Sequence, residues 1–189
     1  MLAGPLSLSV LSTIVSRKRW RIRVCQFENS CTTSNCLQYF TGTSGVITFF
    51  NYDQASMFNR STTQYLNNLN YAICIRKEAG YCSITYTNVR NGVEYRFQLN
   101  NVKSSGIRTV PQEQAGADVI NCPNDYIILD GSRLCGDKLN DGLTIRNFTL
   151  NAPITVSSAG PIVIPVMTDG SLTGLGFKIF YTLNRCPTV

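Results

Sequence analysis

Histidine is absent from this chain of 189 residues. Its absence excludes the dyads and triads in which an imidazole activates a serine or cysteine nucleophile, and it excludes zinc-protease helices. Zinc sites that mix cysteine and histidine ligands are excluded as well. The 11 Asp and Glu residues form no pattern typical of glycosidases. The composition therefore predicts a protein that is not an enzyme and has no catalytic residues.

The spacing C-x-x-C is also missing, although the chain has 8 cysteines. Their scattered positions do not resemble a four-thiolate zinc site. An even number of dispersed cysteines is typical of disulfides formed in an oxidising compartment. N-glycosylation sequons at Asn59 and Asn147 favour the same interpretation. We therefore expect a secreted, extracellular glycoprotein.

Positive charge is unevenly distributed. The net charge is +6, but five basic residues lie between Arg17 and Arg23, so the rest of the chain is nearly neutral. A nucleic-acid-binding protein is expected to carry Lys and Arg across one face of its folded body. The pattern predicts no nucleic-acid partner. The basic run is interpreted as a flanking tail, with a membrane-surface or processing role as the alternative.

No apolar run is long enough to span a bilayer, so we expect no stable membrane span. Residues 2–15 have the length of a signal-peptide core, but the positive charges follow this stretch instead of preceding it. We interpret residues 1–24 as a leader or flanking tail. A defective signal segment, an anchor-like start and a sequence artefact remain as alternatives.

Short β-like runs separated by turn residues fill the chain from residue 45 onward. They are rich in β-branched and aromatic residues, and no apolar period of helical length accompanies them. Such a succession predicts an all-β protein, an antiparallel β-sandwich. We expect the polar stretches 53–64 and 100–121 to be surface loops. The predicted strands are 45–50, 72–75, 83–86, 95–99, 126–129, 161–166 and 176–181.

Several segments, taken in order, are similar to those of a known family. They are Cys36 with Gly45-Val46-Ile47, Asn51-Tyr52, Tyr65-Leu66-Asn67-Asn68, Cys122-Pro123-Asn124-Asp125, Cys135-Gly136, and Asp169 with Gly176-Phe177. In this order they resemble the CUB domain over residues 36–186, with a cysteine-rich lead-in at 25–35. The resemblance is nearest to divergent animal extracellular proteins with a single CUB domain. It implies a disulfide-bonded jelly-roll sandwich.

The resemblance implies a disulfide between Cys122 and Cys135. We further expect Cys74 to pair with Cys82, because the loop between them could close across a hairpin. Cys36 with Cys186 would join the two ends of the domain, and Cys25 would pair with Cys31. The partners of Cys25, Cys31, Cys36 and Cys186 are not fixed by the sequence.

A calcium site is implied by the same resemblance. Asp125 and Asp169 match acidic ligands of calcium-binding CUB domains, and Ser171 would offer a carbonyl oxygen. The third carboxylate is unassigned, with Asp118 nearest the expected position and Glu113 farther away. The alternative is that Asp125 and Asp169 are turn-forming surface residues. Tyr52, in the Asn-Tyr turn, would support the site.

The predicted function is a non-catalytic extracellular protein–protein interaction module, calcium-dependent if the site forms. Its partner would be an extracellular protein or glycoprotein whose lysine pairs with Asp125 and Asp169. Two alternatives remain: a structural component of an extracellular matrix or coat, and a lectin-like module that binds glycans.

Overall fold

The alternating runs of the sequence form β-sheets. The computed structural model describes Ser9 and residues 36–52, 64–157 and 160–187, so the leader, Cys25, Cys31 and Asn59 lie outside the described residues. The chain divides into the units Met1–Cys31 and Thr32–Val189, and every described strand belongs to the second. In chain order the elements are β1 (Cys36–Phe40), β2 (Ser44–Thr48), β3 (Asn70–Ile75), β4 (Tyr81–Thr87), β5 (Val89–Arg90), β6 (Val93–Glu94), β7 (Phe97–Gln98), β8 (Ala115–Ala117), α1 (Asp118–Asn121), β9 (Tyr126–Leu129), β10 (Ser132–Gly136), β11 (Ile154–Ser157), β12 (Ile162–Met167) and β13 (Gly176–Arg185).

Two large sheets make up the sandwich. The six-stranded sheet has the order β1-β3-β12-β9-β10-β8, and in the five-stranded sheet β11-β4-β13-β2 is joined by β7, which pairs with β13. β5 and β6 form a small separate hairpin. All pairs are antiparallel except β1 with β3. The predicted antiparallel β-sandwich is therefore confirmed.

The core lies between the sheets because side chains alternate along each strand. In β12, Ile162, Ile164 and Val166 are buried while the residues between them are less so. In β13, Phe177, Ile179, Tyr181 and Leu183 point inward in the same way. Burial of these apolar surfaces is the main force that holds the sheets together.

The disulfides agree with one prediction and contradict two. Cys122 is bonded to Cys135, as expected. Cys36 is bonded to Cys74, and Cys82 to Cys186, so the predicted pairs Cys74–Cys82 and Cys36–Cys186 are wrong.

Sheet topology explains the two wrong pairings. β3 and β4 belong to different sheets, so the segment after Cys74 crosses between the sheets and does not close a hairpin. The parallel pairing of β1 with β3 brings Cys36 beside Cys74, and Cys82 lies beside the end of β13, next to Cys186.

Residues 95–121 differ from the sequence prediction. The strand expected at 95–99 is confined to Phe97–Gln98. The stretch 100–121 is not a surface loop throughout, because Asn100 and Asn101 are buried and the stretch also contains β8 and α1.

Among the described residues, no helix is long and apolar enough to cross a membrane.

We predict that proteolysis without reduction will yield peptides linked Cys36–Cys74, Cys82–Cys186 and Cys122–Cys135. Replacing both Cys82 and Cys186 by alanine should lower the free energy of unfolding by about 5 kcal/mol, since the bridge closes a long loop in the unfolded chain. Mass spectrometry and urea denaturation are the measurements. A peptide linking Cys74 to Cys82 would contradict the topology.

Candidate functional site

Four segments meet at one end of the sandwich, which we call the loop end. They are residues 64–69 before β3, 99–101 after β7, 122–125 before β9 and 168–174 after β12. The Asn68 amide donates to the Asp169 carbonyl at 2.9 Å, and the Tyr65 amide donates to the Gly174 carbonyl at 2.9 Å. The loops at this end are thus bonded to one another.

Asp125 lies at the centre of the loop end, with only 1% of its surface exposed. Its Oδ2 accepts a hydrogen bond from the Tyr65 hydroxyl, and its Oδ1 accepts one from the Asp169 amide at 2.7 Å. Burial raises the pKa of this carboxyl to about 6, although the two hydrogen bonds oppose the rise. Asp125 is not a turn-forming surface residue.

Tyr65 connects Asp125 to two other loops. Its hydroxyl accepts from the Asn100 amide at 3.2 Å and lies 3.3 Å from the Leu172 carbonyl. Burial and the neighbouring Asp125 carboxylate raise the pKa of the phenol above its ordinary value, so the proton stays on the tyrosine. Tyr65 is thus the tyrosine that donates to Asp125, and the supporting role that the resemblance implies for Tyr52 stays a prediction.

Asn101 fixes the backbone around Asp125. Its Oδ1 accepts from the amides of Asn124 at 2.9 Å and Asp125 at 2.8 Å, and its Nδ2 donates to the Asp125 carbonyl at 2.7 Å. Sequence analysis did not find this residue, because an asparagine in a polar stretch is typical of exposed turns. Its burial arises only when the segment after β7 meets the segment before β9.

Asp169 and Ser171 form a turn beside Asp125. The Asp169 Oδ1 accepts from the Ser171 amide at 2.7 Å and from the Ser171 hydroxyl at 2.6 Å. Asp169 is half-buried, so its carboxylate reaches the surface. Of the expected ligands, the structure brings together Asp125, Asp169 and Ser171.

The other carboxylates considered for the site are engaged elsewhere. Asp118 begins α1, where its Oδ1 accepts from the amides of Ile120 at 2.8 Å and Asn121 at 3.0 Å. Glu113 lies 3.8 Å from the ammonium group of Lys138.

This donor set does not fit the implied calcium site. Across the described ranges, no group of three His, Cys, Asp or Glu side chains could hold a metal ion. Calcium takes about six to eight oxygen ligands, usually with several carboxylates among them. Among the residues that the structure describes, the loop end offers the carboxylates of Asp125 and Asp169. Moreover, both oxygens of Asp125 already accept hydrogen bonds from the protein.

A family model described as the animal CUB domain matches residues 33–184. The chain belongs to the CUB family. Its six- and five-stranded sheets and the Cys122–Cys135 bridge are therefore those of a CUB domain. A comparison with curated protein sequences finds no match.

Several solved structures are similar to this CUB domain. The CUB1-EGF-CUB2 domain of human MASP-1/3 has 19% identity and a TM-score of 0.49, with 79% of this chain and 42% of that chain covered. The MASP-1 CUB2 domain bound to Ca2+ has 22% identity and a TM-score of 0.47 over 78% of this chain and 98% of that one. For the full extracellular region of zebrafish Gpr126/Adgrg6, the values are 15% and 0.45, over 81% and 15%. This chain thus spans less than half of the human MASP-1/3 chain.

Two leucines of the loop-end segments are exposed on the surface of the CUB domain. Leu66 is 42% exposed and Leu172 is 41% exposed. Both are held by the site, since the Leu66 carbonyl accepts from Thr168 Oγ1 at 3.0 Å and the Leu172 carbonyl faces the Tyr65 hydroxyl. The loop end therefore presents the half-buried Asp169 and two exposed apolar side chains.

We predict that Tyr65→Phe lowers the free energy of unfolding by about 2 kcal/mol, because it leaves Oδ2 of the buried Asp125 carboxylate without its donor. Tyr71→Phe is the matched control, since the Tyr71 hydroxyl is buried without a hydrogen-bond partner among the described residues. That variant should be as stable as the parent or slightly more so. Urea denaturation measures both, and equal losses would contradict a specific role for Tyr65.

We also predict that the melting temperature is the same in millimolar calcium and in chelator, because too few ligands among the described residues converge on Asp125. Differential scanning calorimetry is the measurement. A rise of several degrees with calcium would contradict this, since a ligand that binds the folded state raises its stability. In that event Asp169→Asn would show whether the ion binds at the loop end.

Proposed function

We propose that this CUB domain is a non-catalytic extracellular protein–protein interaction module that contacts its partner through the loop end. The observation that carries the proposal is the buried network of Asp125, Tyr65 and Asn101, which fixes four loops against one another. Loops held in this way lose little conformational entropy when a partner binds. A preformed surface of this kind is suited to recognition.

The extracellular part of the proposal rests on covalent chemistry. The three disulfides of the described residues require an oxidising compartment to form and persist. Asn147 begins a sequon and lies exposed on the surface, where an attached glycan has room. We propose that this residue is glycosylated, and that Asn59, in the second sequon, is glycosylated as well.

The contact itself would use Asp169 together with Leu66 and Leu172. A carboxylate at the surface makes a charge-assisted hydrogen bond with a partner's lysine or arginine. Exposed leucines beside it add apolar area, which is what the centre of an interface buries. Asp125 is too deeply buried to reach a partner, so in this proposal it acts as a positioning residue.

We propose that this contact needs no calcium. Neutral donors, the Tyr65 hydroxyl and the Asp169 amide, satisfy the Asp125 carboxylate. These hydrogen bonds therefore hold the loops together, as a bound cation would otherwise do. The module would bind its partner equally well in the presence of a chelator.

The test is a comparison of two charge-removing variants. Asp169→Asn keeps the oxygen that accepts from Ser171 but removes the charge, and we expect it to weaken partner binding about tenfold. Asp141→Asn is the matched control, because Asp141 also accepts an amide two residues later, from Leu143 at 2.9 Å, on another loop. It should bind like the parent.

The partner would first be captured from extracellular fluid on immobilised protein and identified by mass spectrometry. Surface plasmon resonance with the purified partner then gives the affinities. Equal affinities for the two variants would contradict a contact through Asp169. Capture of no protein by the parent chain, or self-assembly of the chain, would contradict the interaction module itself.

A further inference from the structure

Three exposed apolar residues lie in the same loop as a glycosylation sequon. Between β10 and β11, Leu143 is 81% exposed, Leu150 is 50% exposed and Phe148 is 37% exposed. We call these three residues the apolar patch. The sequon Asn147-Phe148-Thr149 lies among them, and Phe148 belongs to both. Apolar side chains grouped on a protein surface mark a place of contact.

The buried side chain of Asn140 holds this loop in shape. Its Nδ2 donates to the carbonyls of Asn147 and Leu150, both at 3.0 Å. Its Oδ1 accepts from the Gly142 amide at 2.8 Å. Asn140 is fully buried, so these hydrogen bonds are shielded from water. One side chain therefore ties the beginning of the loop to its end.

Phe148 is held through both its backbone and its ring. Its carbonyl accepts from the Ala115 amide of β8 at 2.8 Å. Its ring lies against Gly142, where an added Cβ atom would come within 2.8 Å of the ring carbon Cζ. Because Gly142 directly precedes Leu143, the Phe148 ring and Leu143 are held near each other.

The Asn147 side chain is oriented by its own sequon. Its Oδ1 accepts from the Thr149 amide at 3.0 Å and from the Thr149 hydroxyl at 2.7 Å. An N-glycan is attached to the other atom of this amide, Nδ2, so attachment leaves both hydrogen bonds in place. In the same turn the Leu150 amide donates to the Asn147 carbonyl at 3.2 Å. The attachment point therefore adjoins the apolar patch.

We infer that the glycan on Asn147 folds back over the apolar patch, with its first sugar rings against Phe148 and Leu150. This inference rests on the glycosylation proposed above for Asn147. The inner sugars of an N-glycan are N-acetylglucosamines, whose C–H groups and acetyl methyl group can pack on the negative face of an aromatic ring. Such packing removes apolar surface from water and stabilises the folded chain.

Two properties of the loop favour the glycan over a separate partner as the cover of the apolar patch. The glycan is attached inside the patch, so its effective concentration there is high and weak contacts are sufficient. A separate protein would lose its translational and rotational freedom on binding. In addition, three side chains provide much less area than a specific protein–protein interface buries.

The test is removal of the glycan from the folded, whole chain. The chain is expressed through the secretory pathway of cultured animal cells with Asn59→Gln, which leaves Asn147 as the remaining sequon, and mass spectrometry measures its occupancy. Peptide N-glycosidase then removes the glycan and converts Asn147 to aspartate, which keeps an oxygen that accepts from Thr149. We expect the melting temperature to fall by about 3 °C, because the apolar patch becomes exposed.

Phe148→Ser and Leu150→Ser should each abolish most of this fall, because they remove the surface that the glycan covers. The conversion of Asn147 to aspartate is common to every protein, so its own effect cancels in the comparison. Ile107→Ser is the matched control, since Ile107 is 64% exposed on the loop between β7 and β8. Its melting temperature should fall as much as that of the parent.

A second measurement requires no variant of the loop to fold. In the glycosylated parent, nuclear Overhauser contacts should join the acetyl methyl protons of the glycan to the Phe148 ring. They should vanish when the glycan is removed. A glycan that extends into solvent would give no such contacts, and their absence would contradict the inference.

The inference would be overturned by no fall in the parent, or by an equal fall in the parent and all three variants. An unoccupied Asn147 would overturn it too, as would a dimer of the glycosylated chain that Phe148→Ser dissociates, because a second copy would then cover the patch. None of these measurements involves the loop-end partner. Their failure leaves the contact through Asp169 untouched, and unchanged partner binding by Asp169→Asn would leave this inference standing.

Discussion

The buried carboxylate of Asp125 is the constraint on which the loop end depends. A carboxylate removed from water is costly unless donors compensate for its lost hydration. Here each oxygen receives one donor, from the Tyr65 hydroxyl and from the Asp169 amide, and Asn101 holds the surrounding backbone. Because the donors come from different loops, the hydrogen bonds to this one carboxylate fix the positions of those loops. The same network sets where Asp169, Leu66 and Leu172 emerge at the surface.

A divalent cation and a set of neutral hydrogen-bond donors are two ways to stabilise a buried carboxylate. A calcium ion is usually held by several carboxylates, and the described residues bring only that of Asp169 beside Asp125. Asp118, the nearest candidate in the sequence, instead bonds to the first amides of its own helix. Neutral hydrogen-bond donors need only one carboxylate, so the order of these loops depends on how they pack.

Local sequence patterns predicted much of the fold. Features that depend on contacts between distant segments were not predicted from them. The strand at 161–166 was predictable because alternation is a local property, and the Cys122–Cys135 bridge was implied by the family resemblance. The Cys74–Cys82 pairing failed because nothing in residues 75–81 reveals that they cross from one sheet to the other. Asp125 and Asp169 were found through the family resemblance. Asn101 and Tyr65 were not, since their role depends on which loops meet.

The Cys36–Cys74 and Cys82–Cys186 disulfides also determine how the domain would respond to tension. From Cys36 to Cys186, a continuous covalent path runs through Cys74, residues 75–81 and Cys82. Pulling on those two cysteines would draw out at most this short segment, about 30 Å when fully extended. The rest of the chain lies within the two segments that the disulfides close, 36–74 and 82–186, and therefore bears no force. A domain with these two bridges would therefore act under tension as a nearly inextensible link.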